Sequence, residues 1–116
     1  MPSLDEVLAF RKQMFEESMA IIEHKGHDYN RQQQHDGDTL FNLKVAELLG
    51  IVSTAERGIL VRLSDKFMRL VSLMTPGVEG KVRGESVRDT VHDIHNYADY
   101  CLMLWEERRR HAPPSR

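Results

Sequence analysis

The sequence predicts an all-α fold, and three observations carry that prediction. No segment alternates apolar and polar residues as a half-buried strand would. Apolar residues recur instead at three- and four-residue steps over long stretches. Helix start and stop signals then divide the chain into four helices, expected to form a four-helix bundle-like domain over residues 1–110 with a flexible tail at 111–116.

The first helix is expected from about Leu4 to His24. Ser3 and Glu6 make a capping box, and Leu4, Val7, Leu8, Met14, Phe15, Ile21 and Ile22 supply a rough apolar stripe. Gly26 fits the stop position beyond it. The polar segment His27 to Gly37 lacks apolar periodicity and reads as a loop of the kind that carries function. A short second helix, about Thr39 to Leu49, has Asp38 as its expected N-cap and Gly50 as its stop.

The third helix opens on a second capping box, Ser53 and Glu56, and runs to about Met74 before Pro76 and Gly77. Ile59, Leu60, Leu63, Phe67, Leu70 and Met74 read as one apolar stripe, with Arg62, Asp65 and Arg69 on another face. A glycine-containing link, Pro76 to Gly84, leads to a fourth helix from about Glu85 to Arg110. Its seam is Val87, Val91, Ile94, Ala98, Cys101, Leu102 and Trp105. Glu85, Asp89, Asp93 and Asn96 are expected roughly opposite that seam. Beyond Asn96 the helix is apolar nearly all round, which predicts a covered C-terminal half and a homo-oligomer, dimer or tetramer.

Composition narrows the function. The chain is 41% hydrophobic and 29% charged, which suits a folded domain. A net charge of −2 gives no global electrostatic case for nucleic-acid or membrane binding. The basic run Arg108 to Arg110 sits where cations favour a helix C-terminus. One cysteine, Cys101, forbids an internal disulfide and suits a reducing compartment. The N-terminal order MPSLDEVLAF lacks the basic-then-apolar order of a secretory signal, and no apolar run approaches ~20 residues, so a cytoplasmic protein is expected.

The chemistry concentrates on the fourth helix. Glu85, Asp89 and Asp93 follow one another at four-residue spacing, which stacks like charges on one face at a cost of a few tenths of a kcal/mol per pair. A positive group is expected against them: a divalent metal, basic side chains, or water alone. Asp65 on the third helix, with Lys66, Arg62 and Arg69, offers either a further oxygen ligand beside phosphate-neutralising cations or an ion-pair ladder within its helix. Oxygen donors from two helices suit Mg²⁺ or Mn²⁺, and cations beside them suit a metal-bound polyphosphate. The His-Asp dipeptides at His27, His35 and His92 are a weak sign of an HD-type phosphohydrolase. No glycine-rich phosphate loop, dinucleotide fingerprint, nucleophile elbow or zinc pattern occurs.

Taken together, Lys25-Gly-His-Asp28-Tyr29, Phe41-Asn42, Arg62-Leu-Ser-Asp65-Lys66-Phe-Met-Arg69 and the Glu85 to Tyr97 segment resemble a known family. It is the nucleotide-modification-associated phage and bacterial branch of the all-α, MazG-like nucleoside triphosphate pyrophosphohydrolases. The resemblance spans about residues 20 to 105. It implies hydrolysis of a nucleoside triphosphate to the monophosphate and pyrophosphate, dependent on Mg²⁺ or Mn²⁺, in an oligomeric helical bundle in the host cytoplasm if phage-encoded. By chemical type and location, Asp65, Glu85, Asp89 and Asp93 are the metal candidates and, with Lys66, the catalytic ones. Lys25, Asp28, Tyr29 and Asn42, with Arg69 and Asn96, are the substrate-side candidates.

Two departures from the wider superfamily stand out. Arg62 occupies the position three before Asp65 where an acid is usual, and the fourth-helix carboxylates are four apart. A subgroup similar in size and motif, MazZ, serves phages that use 2-aminoadenine and acts on purine deoxynucleotides such as dGTP, which makes a purine (d)NTP, dGTP or dATP, the expected substrate. The alternatives are an HD-type triphosphohydrolase and a non-catalytic helical interaction module.

Overall fold

A computed structural model describes residues 1–33, 40–77 and 80–112, with the side chains of 25–33, 80–83 and 85 outside that description. The described residues are all-helical, in the order α1 (Leu4–Gln33), α2 (Phe41–Leu48), α3 (Ala55–Leu73) and α4 (Gly80–Arg110). The chain divides into two compact units, Met1–Thr39 and Leu40–Arg116.

The first unit holds α1. Its capping box forms as expected: Glu6 N–H donates to Ser3 Oγ (3.2 Å), and the Ser3 hydroxyl donates to Glu6 Oε1 (3.4 Å). The helix does not stop at Gly26 but runs on to Gln33, so residues 27–33 of the expected loop are helical. An interior glycine costs only about 1 kcal/mol, and the Arg-Gln run that follows is made of good helix formers. The expected apolar stripe is also broken up. Met14 is buried and Ile21 and Ile22 are half-buried, whereas Leu4, Val7, Leu8 and Phe15 are exposed.

In the second unit α2 and α4 both pack on α3. Leu40, Ala55, Ile59 and Leu104 are its buried centre, and Leu43, Leu63, Tyr97, Tyr100 and Cys101 close around them. The Tyr97 and Tyr100 rings meet edge to face, 6.1 Å apart. Cross-helix contacts fix the direction: Lys66 meets Asp93, Arg62 meets Tyr97 and Glu56 meets Arg108. Rising numbers on α4 face falling numbers on α3, so the two helices are antiparallel.

Local signals explain the ends. Gly50 adopts φ +74°, the left-handed region, while Ile51 N–H donates to Ala46 O and Gly50 N–H to Glu47 O, which together close α2 in a Schellman motif. Leu40 precedes α2 without a side-chain cap, and Asp38 lies outside the described residues. Thr54, not Ser53, caps α3: its Oγ1 accepts from Arg57 N–H at 3.2 Å. The expected second capping box is therefore not formed, since the cap moves by one residue and places Arg57 where the box needs Glu or Gln. Glu56 is not tied to the cap because its carboxylate is held by Arg108. The fourth helix begins five residues earlier than expected, at Gly80, so Gly84 and Glu85 lie within it.

The stripes also need correction. On α3, Ile59 is buried and Leu63 and Leu70 half-buried, while Leu60, Phe67 and Met74 are exposed, so the single expected stripe is two. On α4, Ala98, Leu102 and Trp105 of the expected seam are exposed, and Leu104 is buried in their place. Met103 is exposed too, so the C-terminal half is covered on one side only. The side facing α3 is the one bearing Asp93, Tyr97, Cys101, Leu104 and Arg108, four or three residues apart.

Candidate functional site

Two polar clusters flank the core of the second unit. The first lies midway along the α3–α4 pair and joins Lys66 to Asp93, one of the acidic residues singled out in the sequence. Lys66 Nζ stands 2.9 Å from Asp93 Oδ2, and both side chains are about a quarter to a third exposed. One turn away, the Arg62 guanidinium lies over the Tyr97 ring, 5.9 Å from its centre. Asp93, the last carboxylate of the acidic ladder, thus faces α3 and one of its cations. Asp89, one turn before Asp93, is exposed, as are Asp65 and Arg69 on α3. Neither Asp65 nor Asp89 has an ion-pair partner among the described residues.

Other candidates fall elsewhere. Asn96 was expected on the open acidic face but is 6% exposed, so it contributes to the interior. The neighbouring His92 is buried as well, at 3%, out of reach of bulk water. The 100° step explains both, since they fall on a different side of α4 from Asp93 and Tyr97. Asn42 is half-buried in the first turn of α2. Lys25, Asp28 and Tyr29 lie on α1, in the first unit, and their side chains are outside the described residues. So is the side chain of Glu85.

Asp65, Asp89 and Asp93 present oxygen donors only, the chemistry a hard divalent cation takes. Among the described residues, however, no three His, Cys, Asp or Glu side chains come together as a metal-holding group. The pairing of Lys66 with Asp93 also answers part of the electrostatic question posed by the ladder. For Asp93 the opposing charge is a lysine.

The second cluster was not anticipated. At the far end of the helix pair, Arg108 lays one edge along Glu56, with Nε donating to Oε2 at 2.8 Å and Nη2 to Oε1 at 3.1 Å. Nη2 also donates to Glu47 Oε1, which in turn accepts from the Ala55 N–H at 2.7 Å. Glu47 thereby satisfies an orphan donor of the α3 N-terminus as well. Lys44 Nζ donates to Glu107 Oε1 at 3.2 Å and ties α2 to α4. These residues rim a cavity of about 440 Å³.

Glu56 is 8% exposed, and its carboxyl is held below the ordinary carboxylate range by the Arg108 hydrogen bonds, which outweigh the upward push of burial. The Arg108 guanidinium is correspondingly held more firmly protonated, first by Glu56 and then by Glu47. Burial, and secondarily the Glu56 charge, pushes the Cys101 thiol upward from its ordinary range. Residues so far apart in sequence gave no local spacing to read. The only cue was an arginine run that also suited the helix dipole.

No family model, curated protein or solved structure matches this chain. In the Arg108 cluster each named carboxylate has a cation or backbone N–H, which is the signature of a structural clasp. Around Asp93 the Lys66 pair lies on the face, while Asp65, Asp89 and Arg69 stand exposed, which leaves charge open to a ligand.

Proposed function

We propose that this protein is a Mg²⁺- or Mn²⁺-dependent nucleoside triphosphate pyrophosphohydrolase. It would convert a purine (d)NTP, dGTP or dATP foremost, to the monophosphate and pyrophosphate in phage nucleotide-pool control, as a MazG-like, MazZ-type homo-oligomeric bundle in the cytoplasm. The observation that supports this reading is the mixed-sign α3–α4 face. Asp65 and Asp89 are open to solvent there, beside the Lys66–Asp93 pair and Arg62. Such a face matches a polyphosphate carried with a divalent cation better than it matches either ion alone.

In this scheme Asp65, Glu85, Asp89 and Asp93 hold the cation. When bound, it supplies positive charge against the triphosphate oxygens. Lys66 exchanges its Asp93 contact for a phosphate oxygen, since its ammonium has three donors on a flexible stem. Arg69, exposed three residues further on, offsets charge on the departing pyrophosphate. Water adds to the α-phosphorus, the bond to the bridging oxygen breaks, and a carboxylate of α4 that the cation does not fully engage would take the proton. Lys25, Asp28, Tyr29 and Asn42 are assigned to the nucleoside by the family resemblance.

A panel of the common NTPs and dNTPs with Mg²⁺ or Mn²⁺, read by product identity, tests the reading. Monophosphate and pyrophosphate in a metal-dependent reaction support it. Nucleoside and tripolyphosphate would assign the HD-type reaction instead. The exposed apolar face of α3 favours one competitor, a non-catalytic interaction module. That competitor predicts no turnover and no thermal stabilisation by Mn²⁺ with dGTP.

A further inference from the structure

The third helix has more than the two faces a bundle helix needs. At about 100° per residue, Ile59, Leu63 and Leu70 form its inner arc and Arg62, Asp65 and Arg69 a charged arc. A third arc, about 140° wide, carries Leu60, Val61, Phe67, Met68, Val71 and Met74. These six are between 51% and 67% exposed. Their spacing is that of a packing seam: Leu60, Phe67 and Met74 recur at seven, Ser64 and Val71 fall between, and Val61 and Met68 flank them.

We infer that this arc is where a second copy of the chain docks, α3 against α3 and antiparallel about a two-fold axis near Phe67. Area is the first argument. Six side chains of this size, each more than half exposed, leave roughly 600 Å² of apolar surface on one face, at the upper limit for a monomer and close to the roughly 800 Å² per partner that a stable pairing covers. Charge is the second. Arg57 is the one exposed charged residue within the arc, and it stands at the arc's end. Parallel pairing would set it against itself, whereas antiparallel pairing carries it past the partner's Met74 and also opposes the helix dipoles.

Shape is the third argument. A shallow groove lined by Val52, Arg57, Leu60, Val61 and Ser64 opens at the N-terminal end of the arc. The two-fold axis brings the partner's Met74, a side chain suited to filling irregular gaps, to that groove. Ser64 does not oppose burial, since its hydroxyl already donates to Val61 O at 2.7 Å. The exposed apolar surface of α4 is smaller: Ala98, Leu102 and Trp105 share one face, Met103 lies on another, and Arg109 lies over the Trp105 ring at 4.7 Å. The dimer leaves the charged arc open and does not depend on the proposed reaction.

Sedimentation of the full chain over a wide concentration range tests the assignment, with far-UV circular dichroism verifying the fold of each variant. The wild type is expected at twice the 13.5 kDa chain mass. Phe67→Glu is expected to be a folded monomer. Ser64→Leu, which adds apolar surface to the centre of the seam in both copies, should tighten the dimer roughly tenfold. Leu102→Glu should leave it unchanged. A wild type that stays monomeric, a dimer that survives Phe67→Glu, or one lost in Leu102→Glu would each overturn the assignment.

Discussion

The Arg108 cluster and the Asp93 cluster lie on the same pair of helices and are built from the same residue types, yet they differ in how completely their charges are answered. Around Arg108 two glutamates share one guanidinium, one of them also takes a backbone N–H, and Glu56 is nearly buried. Around Asp93 one lysine answers one aspartate, both partly wet, while Asp65 and Asp89 stand exposed. A polar group taken out of water must be satisfied by its own fold, so the first arrangement belongs to stability. Carboxylates left in water near one another cost little there and gain only when something positive arrives. The second arrangement therefore belongs to binding.

The sharpest way to break that comparison is to change one carboxylate in the open cluster. If the proposed reaction is right, Asp89→Asn should lower kcat/KM at least about a hundredfold, or ~2.7 kcal/mol in the barrier. The same substitution removes an i,i+4 like-charge contact, so the variant should be as stable as the wild type or firmer by a few tenths of a kcal/mol. Initial rates and a urea melt on one preparation measure both. An Asp89→Asn enzyme with full activity would sink the site assignment.

In the closed cluster the signs are reversed. Arg108→Met should leave turnover alone and cost about 2 kcal/mol of stability, because it strands Glu56 where its side chain is only 11% exposed. The cost stays below that of a fully buried pair because water reaches the Arg108 side chain, which is 46% exposed. Denaturant midpoints at constant slope are the readout. A loss of activity with stability intact would move Arg108 into the functional site.

Acid should reach the two clusters differently. The folded-state pKa of Glu56 lies below its ordinary value of 4.5, so its contribution to stability is fully present above that value and is lost as the pH falls through the lower one. Glu56→Gln removes this dependence. The stability gap between wild type and Glu56→Gln should therefore be widest near neutrality and narrow below about pH 4.5. A gap that holds constant into acid would show that Glu56 acts through packing and not through its charge.

What was legible in the sequence follows the range of the interactions involved. The all-α class, the Ser3–Glu6 cap and the Gly50 stop depend on residues within one or two turns, and all three are seen. Periodicity alone could not separate the inner arc of α3 from the outer one, because both are apolar and only tertiary packing distinguishes Ile59 from Leu60. Local glycine signals also overreached, since helices run through Gly26 and Gly84. The acidic ladder was visible as a spacing, and the adjacent cations on α3 were visible too. Their meeting at Lys66–Asp93 required the antiparallel register. The Arg108 clasp joins residues 52 and 61 positions apart, so no window of sequence shows its pairing.

The finest test compares the two ion pairs directly by double-mutant cycles. Lys66 and Asp93 are held by one contact between partly exposed groups, so their coupling should be about 0.5 kcal/mol and should fade in ~1 M salt, where the screening length shrinks to ~3 Å. The Glu56–Arg108 coupling should be several times larger and should largely survive the same salt, because its two hydrogen bonds fix the geometry and Glu56 is shielded from solvent. A strong, salt-resistant Lys66–Asp93 coupling would make that pair a clasp as well. Lys66 would then not be free to exchange Asp93 for a phosphate oxygen, and the open cluster would lose the cation that its proposed chemistry needs.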